Sequence, residues 1–177
     1  MSDSADRLSP AFVLTRHFKA PRHLLFAAFT EAAHLRQWMA PSGFEMVRCE
    51  VDALPGGVFH YGLRAPGGAA MWGKWTFREV VAPERLVVVV QFSETDGGVS
   101  RHPMAPIWPL YTLSTTTLAD DGPAGTLLTL RWQTLNAAAD EEATFNAAHA
   151  GMAQGWGGTM DQLDAHLAKS QAGAWPG

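Results

Sequence analysis

Cysteine is nearly missing from this chain of 177 residues: Cys49 stands alone, which excludes an internal disulfide and any metal site built from several thiolates. Lying between Val47 and Val51, it reads as a buried apolar thiol rather than a nucleophile. Charge is scarce too, at 17% of residues against about a quarter in an ordinary domain. Lysine occurs only at Lys19, Lys74 and Lys169, the arginines are scattered, and the formal net charge is −4. Nucleic-acid binding is not expected, because displacing counterions from phosphates needs clustered cations. No polybasic patch supports a peripheral membrane role either. The apolar runs, Leu86 to Val90 among them, are far too short to cross a bilayer. Met1 to Leu8 is polar and acidic without an apolar signal core, so a cytoplasmic location is expected by default. No serine stands in a G-x-S-x-G elbow. The pairs Gly67-Gly68 and Gly97-Gly98 lie at turns rather than between a strand and a helix, so neither forms a nucleotide loop.

What the chain does have is aromatic and apolar bulk. Seven Trp and nine Phe accompany a hydrophobic content of 47%. That surplus must build a large core or line a pocket. The length fits one domain, expected over residues 10–169 with residues 1–9 and 170–177 as flexible tails.

Phe12 to Phe18 alternates as a strand should. Pro21 then suits a helix start, where its missing N–H costs nothing, and His23 to Phe29 reads as a short helix. Thr30 is expected to cap a second helix, Glu31 to Trp38. From Phe44 the period becomes two: Phe44–Ala53, Val58–Arg64, Ala70–Val81 and Leu86–Phe92 are strands separated by Pro-Gly-Gly and Pro-Glu-Arg turns. Short connections make such neighbours antiparallel. Ser93 to Pro109 is too long for a hairpin turn, and loops of that length are usually functional. Leu110–Leu118 and Thr126–Thr134 complete the strands. Glu141 to Leu167 is the longest helical pattern, with Phe145, Met152, Trp156, Met160, Leu163 and Leu167 on one stripe. Its Gly151, Gly155, Gly157 and Gly158 each weaken a helix interior by about 1 kcal/mol relative to Ala. Close approach to the sheet, or room kept for a cavity, would each offset that.

Together these elements make an α+β fold, and short motifs within it match a known pattern. Phe18-x-Ala20-Pro21, Phe26-x-Ala28-Phe29-Thr30, Leu35-x-x-Trp38-x-x-Pro41, Asp52-x-x-Pro55-Gly56-Gly57 and Glu79-x-x-x-Pro83-Glu84-Arg85-Leu86 occur in order, followed by Gly155-Trp156 and Leu163. Over about Phe12 to Leu167 the chain resembles the activator of Hsp90 ATPase homologue-like family of the START-like (SRPBCC) superfamily. The resemblance implies a helix-grip (START-like, Bet v-like) fold: a curved antiparallel sheet around a long C-terminal helix, with two short helices after strand one. Superfamily members carry lipids and hormones, cyclise polyketides, serve ring hydroxylases or regulate chaperones, so the fold alone fixes no chemistry. The shared residues also have structural roles, with Gly56-Gly57 serving a turn and Trp38 plugging one end of the sheet.

None of the seven histidines forms an H-E-x-x-H or similarly compact set, so no metal or cofactor is expected. His149, on the inward stripe of the long helix, and Tyr61 are the candidate proton-transfer groups of a cyclase- or aromatase-like enzyme. The leading expectation is a small-molecule binding protein with an internal cavity. Its walls are expected to comprise Trp38, Phe59, Tyr61, Trp75, Phe77, Trp108, Trp132, His149, Met152 and Trp156. Arg101 to Trp108 are expected to form part of its mouth, with Arg101 or His102 as polar groups there. The alternative, that these aromatics simply close the core, stays open, as does a chaperone-regulating role. The expected partner is a small apolar or aromatic molecule, with a homodimer also allowed.

Overall fold

A computed structural model of the chain describes residues 5–173. Among them eight strands and four helices follow in the order β1 (Phe12–Phe18), α1 (Arg22–Thr30), α2 (Ala32–Trp38), β2 (Glu45–Val51), β3 (Val58–Arg64), β4 (Ala70–Val81), β5 (Arg85–Ser93), β6 (Val99–Ser100), β7 (Thr112–Asp120), β8 (Thr126–Thr134), α3 (Ala139–Ala147) and α4 (His149–Gln171). The strands form one curved antiparallel sheet in the order β1-β8-β7-β5-β4-β3-β2, with β6 a short addition to β5. This is the helix-grip arrangement: the sheet bends around α4, and α1 and α2 bridge from β1 to the far edge.

Register decides which side chains look inward. Phe59 and Tyr61 on β3 pair with Trp75 and Gly73 on β4, which pair in turn with Val90 and Phe92 on β5. Val88 opposes Ser114, and Ser114 opposes Trp132. Because side chains alternate along a strand, one face collects these residues together with Leu128 and Leu130. The turn between β2 and β3 uses Gly56 at φ +85°, a conformation that glycine adopts without a Cβ penalty.

Several sequence expectations are corrected here. Thr30 does not cap α2; it ends α1, its hydroxyl donating to the Phe26 carbonyl at 2.8 Å, and Glu31 occupies the cap position in extended backbone. The long C-terminal helix is two helices, broken at Ala148. Residues 5–9 of the expected N-terminal tail are tied down. Leu8 bridges to Leu135, the buried Ser9 hydroxyl accepts the Thr134 N–H at 3.0 Å, and the Arg7 N–H donates to Asn136 Oδ1 while the Arg7 carbonyl accepts the Asn136 N–H, each at 2.8 Å. At the other end α4 continues to Gln171, whose amide donates to the Lys19 carbonyl at 2.8 Å.

The two halves of α4 differ. Met160, Leu163, His166 and Leu167 are buried against the core formed by Phe18, Leu25, Phe29, Leu35 and Trp38. Polar contacts reinforce this half: Gln162 donates to the Trp38 and Ala40 carbonyls at 3.0 and 2.8 Å, Arg16 pairs with Asp161 at 2.6 Å, and His34 Nδ1 meets His166 Nε2 at 2.8 Å. From His149 to Thr159 no residue is buried. The helical glycines do not pack against the sheet, since a Cβ at Gly151, Gly155, Gly157 or Gly158 would meet nothing within 4 Å.

Candidate ligand site

Three hollows lie between the inner sheet face and the elements that cover it. The first, about 270 Å³, is walled by Tyr61, Phe92, His102, Trp108, Thr112 and Trp132 among others. The second, about 400 Å³ and the most open to solvent, lies beside the first half of α4. Met39, Pro41, Leu63, Trp132, Met152, Gly155, Trp156 and Thr159 surround it. A third of about 100 Å³ lies over the sheet floor, between Phe29, Met39, Tyr61, Trp75, Val88, Ser114, Thr116, Leu130, Trp132 and Trp156. Trp132 borders all three; Tyr61 is shared by the first and third, Trp156 and Met39 by the second and third.

Local packing fixes Trp132 where it stands. Its Nε1 donates to the Thr112 hydroxyl at 2.7 Å, and its ring meets Phe145 and Trp156 edge-on at 5.7 and 6.0 Å. Such edge-to-face pairs exploit the ring quadrupole. Tyr61 is seated over a gap in the neighbouring strand. Its phenol lies across the facing strand over Gly73, where an added Cβ would fall 2.4 Å from both Cζ and the hydroxyl oxygen. Burial pushes the Tyr61 hydroxyl up to about 12, so at neutral pH it is an uncharged hydrogen-bond donor.

The loop between β6 and β7 closes the side of the first hollow. Arg101 Nη1 pairs with Glu141 and also reaches the Pro106 and Trp108 carbonyls at 3.5 and 3.3 Å, tying the loop to the start of α3. That pairing holds the Glu141 carboxyl below its usual range, aided by the Ala138 N–H. His102 Nδ1 accepts the Met104 N–H at 3.0 Å, which places the proton of the neutral ring on Nε2. Burial holds the His102 pKa below the ordinary histidine value.

Of the residues expected to line a cavity, Tyr61, Trp75, Trp108, Trp132, Met152 and Trp156 border these hollows. Trp38, Phe59 and Phe77 do not. All three are sealed in the core at 1% exposure or less; Trp38 packs edge-on against Phe29 and donates from Nε1 to the Ala28 carbonyl at 2.9 Å. His149 also stands apart. Its ring is wedged between Phe12 and Phe145 at 5.6 and 5.2 Å, with a buried Nε2 that lacks a partner. Sequence reasoning missed Met39 and the hydroxyl row Thr112, Ser114 and Thr116, although the period-two pattern Thr112-x-Ser114-x-Thr116 could have revealed the last. Cys49 is a buried thiol, as expected, with its pKa raised by burial. Among the described residues no cluster of three metal-ligating side chains occurs, and no helix is long and apolar enough to cross a membrane.

Comparison with known proteins places this geometry. A sequence profile of the family "Activator of Hsp90 ATPase homolog 1-like protein" matches residues 19–168. The chain belongs to that family. Protein Ms6760 from Mycobacterium smegmatis superposes with a TM-score of 0.70 at 20% identity, over 86% of this chain and 87% of that one. Protein NE0264 from Nitrosomonas europaea gives 0.68 at 22% identity, over 97% and 99%. The AHSA1 protein from Silicibacter pomeroyi gives 0.68 at 18%, over 94% and 99%. At these identities the likeness establishes the fold. No curated protein sequence matches the chain.

Proposed function

We propose that this family member binds a small apolar or aromatic molecule between the inner sheet face and the first half of α4. One observation carries the proposal: three adjoining hollows share Trp132, and their walls are mostly aromatic and aliphatic. Sites for small molecules are typically concave, largely apolar and about 300–1,000 Å³, with a few orienting polar groups. Tyr61, His102, Ser114 and Thr116 supply such groups here.

An enzymatic role of the cyclase kind has weaker support. A general base works best with a pKa near the working pH, whereas the Tyr61 hydroxyl is pushed up to about 12. His149, the other candidate, borders none of the three hollows. The chaperone-regulating alternative draws on the family description alone, and a pull-down retaining no chaperone removes that support.

Thermal-shift and native mass-spectrometry measurements with neutral aromatics and lipids test the binding proposal. Stabilisation by at least one class at 1:1 stoichiometry is expected. Uniform failure to stabilise the chain contradicts it.

A further inference from the structure

The walls of the three hollows contain no Lys, Arg, Asp or Glu. Their ionisable members are Tyr61 and His102. A phenol is neutral at pH 7 and burial raises the Tyr61 pKa further, to about 12, while burial lowers that of His102 and so favours its neutral ring. Arg101, the cation nearest the mouth in sequence, is engaged by Glu141 and two carbonyls. An anion entering this space would shed its water with no counterion to receive it, a large penalty.

The hollows are not uniformly greasy, however. Thr112, Ser114 and Thr116 share one face of β7, opposite Thr134, Trp132 and Leu130 on β8. Residues two apart on a strand repeat at about 6.8 Å, so the hydroxyls form a row along the floor. Thr112 is engaged by the Trp132 indole, while Ser114 and Thr116 border the third hollow directly. Facing them across that hollow is Trp156, which with Met152 also walls the wide apolar second hollow.

We infer that the site selects an uncharged molecule, its apolar body against Trp156 and Met152 and its oxygen-bearing edge on Ser114 and Thr116, and that it rejects anions of the same shape. This inference rests on the binding function proposed above. It separates a neutral oxygenated ring or chain from a free fatty acid or a phosphate-bearing lipid.

The test is calorimetric titration of the full chain at pH 7.5 with matched probes: naphthalene, 2,6-dihydroxynaphthalene, methyl 2-naphthoate and 2-naphthoate. The ester is expected to bind at least about 100-fold more tightly than the carboxylate, the scale of an uncompensated buried charge. In the double variant Ser114→Ala, Thr116→Val, dihydroxynaphthalene is expected to weaken by about 5–10-fold, with naphthalene unchanged within about twofold. Carboxylate binding as tight as the ester overturns the inference while leaving the binding function standing. So does an equal loss for naphthalene and its diol in the double variant. If none of the four probes binds, the binding function and the inference fall together.

Discussion

Gly73 in the sheet and Gly155 in α4 are the same residue used in opposite ways. A Cβ on Gly73 would strike the Tyr61 ring at 2.4 Å, and one on Gly62 would strike Trp72 at 2.7 Å; at Gly155 it would meet nothing within 4 Å. The sheet glycines make room for aromatic rings that cross the neighbouring strand, so their cost is offset by packing. The helical ones gain no such contact. They thin the wall beside the widest hollow and leave the first half of α4 with little to hold it down, in contrast to the anchored second half. A cover of marginal stability over a rigid floor is the usual division between parts that move and parts that position.

The largest effect is expected in the anchored half. Leu163→Ala removes a fully buried side chain and should cost about 3 kcal/mol, measured as a lower urea midpoint with an unchanged slope. A loss below about 1 kcal/mol would mean that this half is not the clamp. Next comes Gly73→Ala, for which overpacking should cost about 2 kcal/mol and displace Tyr61, visible as an altered near-UV circular dichroism spectrum. The helix should answer with the opposite sign. Replacing Gly151, Gly157 and Gly158 together by Ala adds three unopposed methyl groups and should raise stability by about 2 kcal/mol. It should also slow ligand exchange if the cover must flex. Destabilisation by that triple change would erase the contrast between the two sets of glycines.

The weakest perturbation is pH. Burial, opposed by the Glu31 charge, lowers the His34 pKa; burial, then His34 and Lys169, lower that of His166. Folded values below the unfolded one, about 6.5, mean that the unfolded chain binds more protons in that window. Stability is then full above about pH 6.5 and falls as pH drops toward the folded values. A urea midpoint unchanged between pH 7.5 and 5.5 would contradict this. His166→Asn should flatten the decline.

The strands were legible because alternation and Pro-Gly punctuation are local, and β3, β4 and β8 begin and end where the pattern places them. Thr30 misled because its hydroxyl can bond either forward as a cap or back to the i−4 carbonyl, and only the fold selects the second. The break at Ala148 was invisible, since alanine is the best helix former and nothing in its chemistry announces a stop. Half of the site was readable as an inward aromatic register. The rest was not, because Trp38, Phe59 and Phe77 share the composition of Trp75, Trp132 and Trp156. What separates them is how closely the neighbouring elements approach.

Fluorescence titration with N-phenyl-1-naphthylamine, a neutral probe that brightens in apolar surroundings, compares the natural chain most directly with Ser114→Phe, which directs a ring into the third hollow. Saturable single-site binding is expected for the natural chain, weakened at least about tenfold in a Ser114→Phe protein that keeps its circular dichroism spectrum. Equal binding by both proteins, or no saturable binding by the natural chain, would show that the interior beneath α4 holds no ligand.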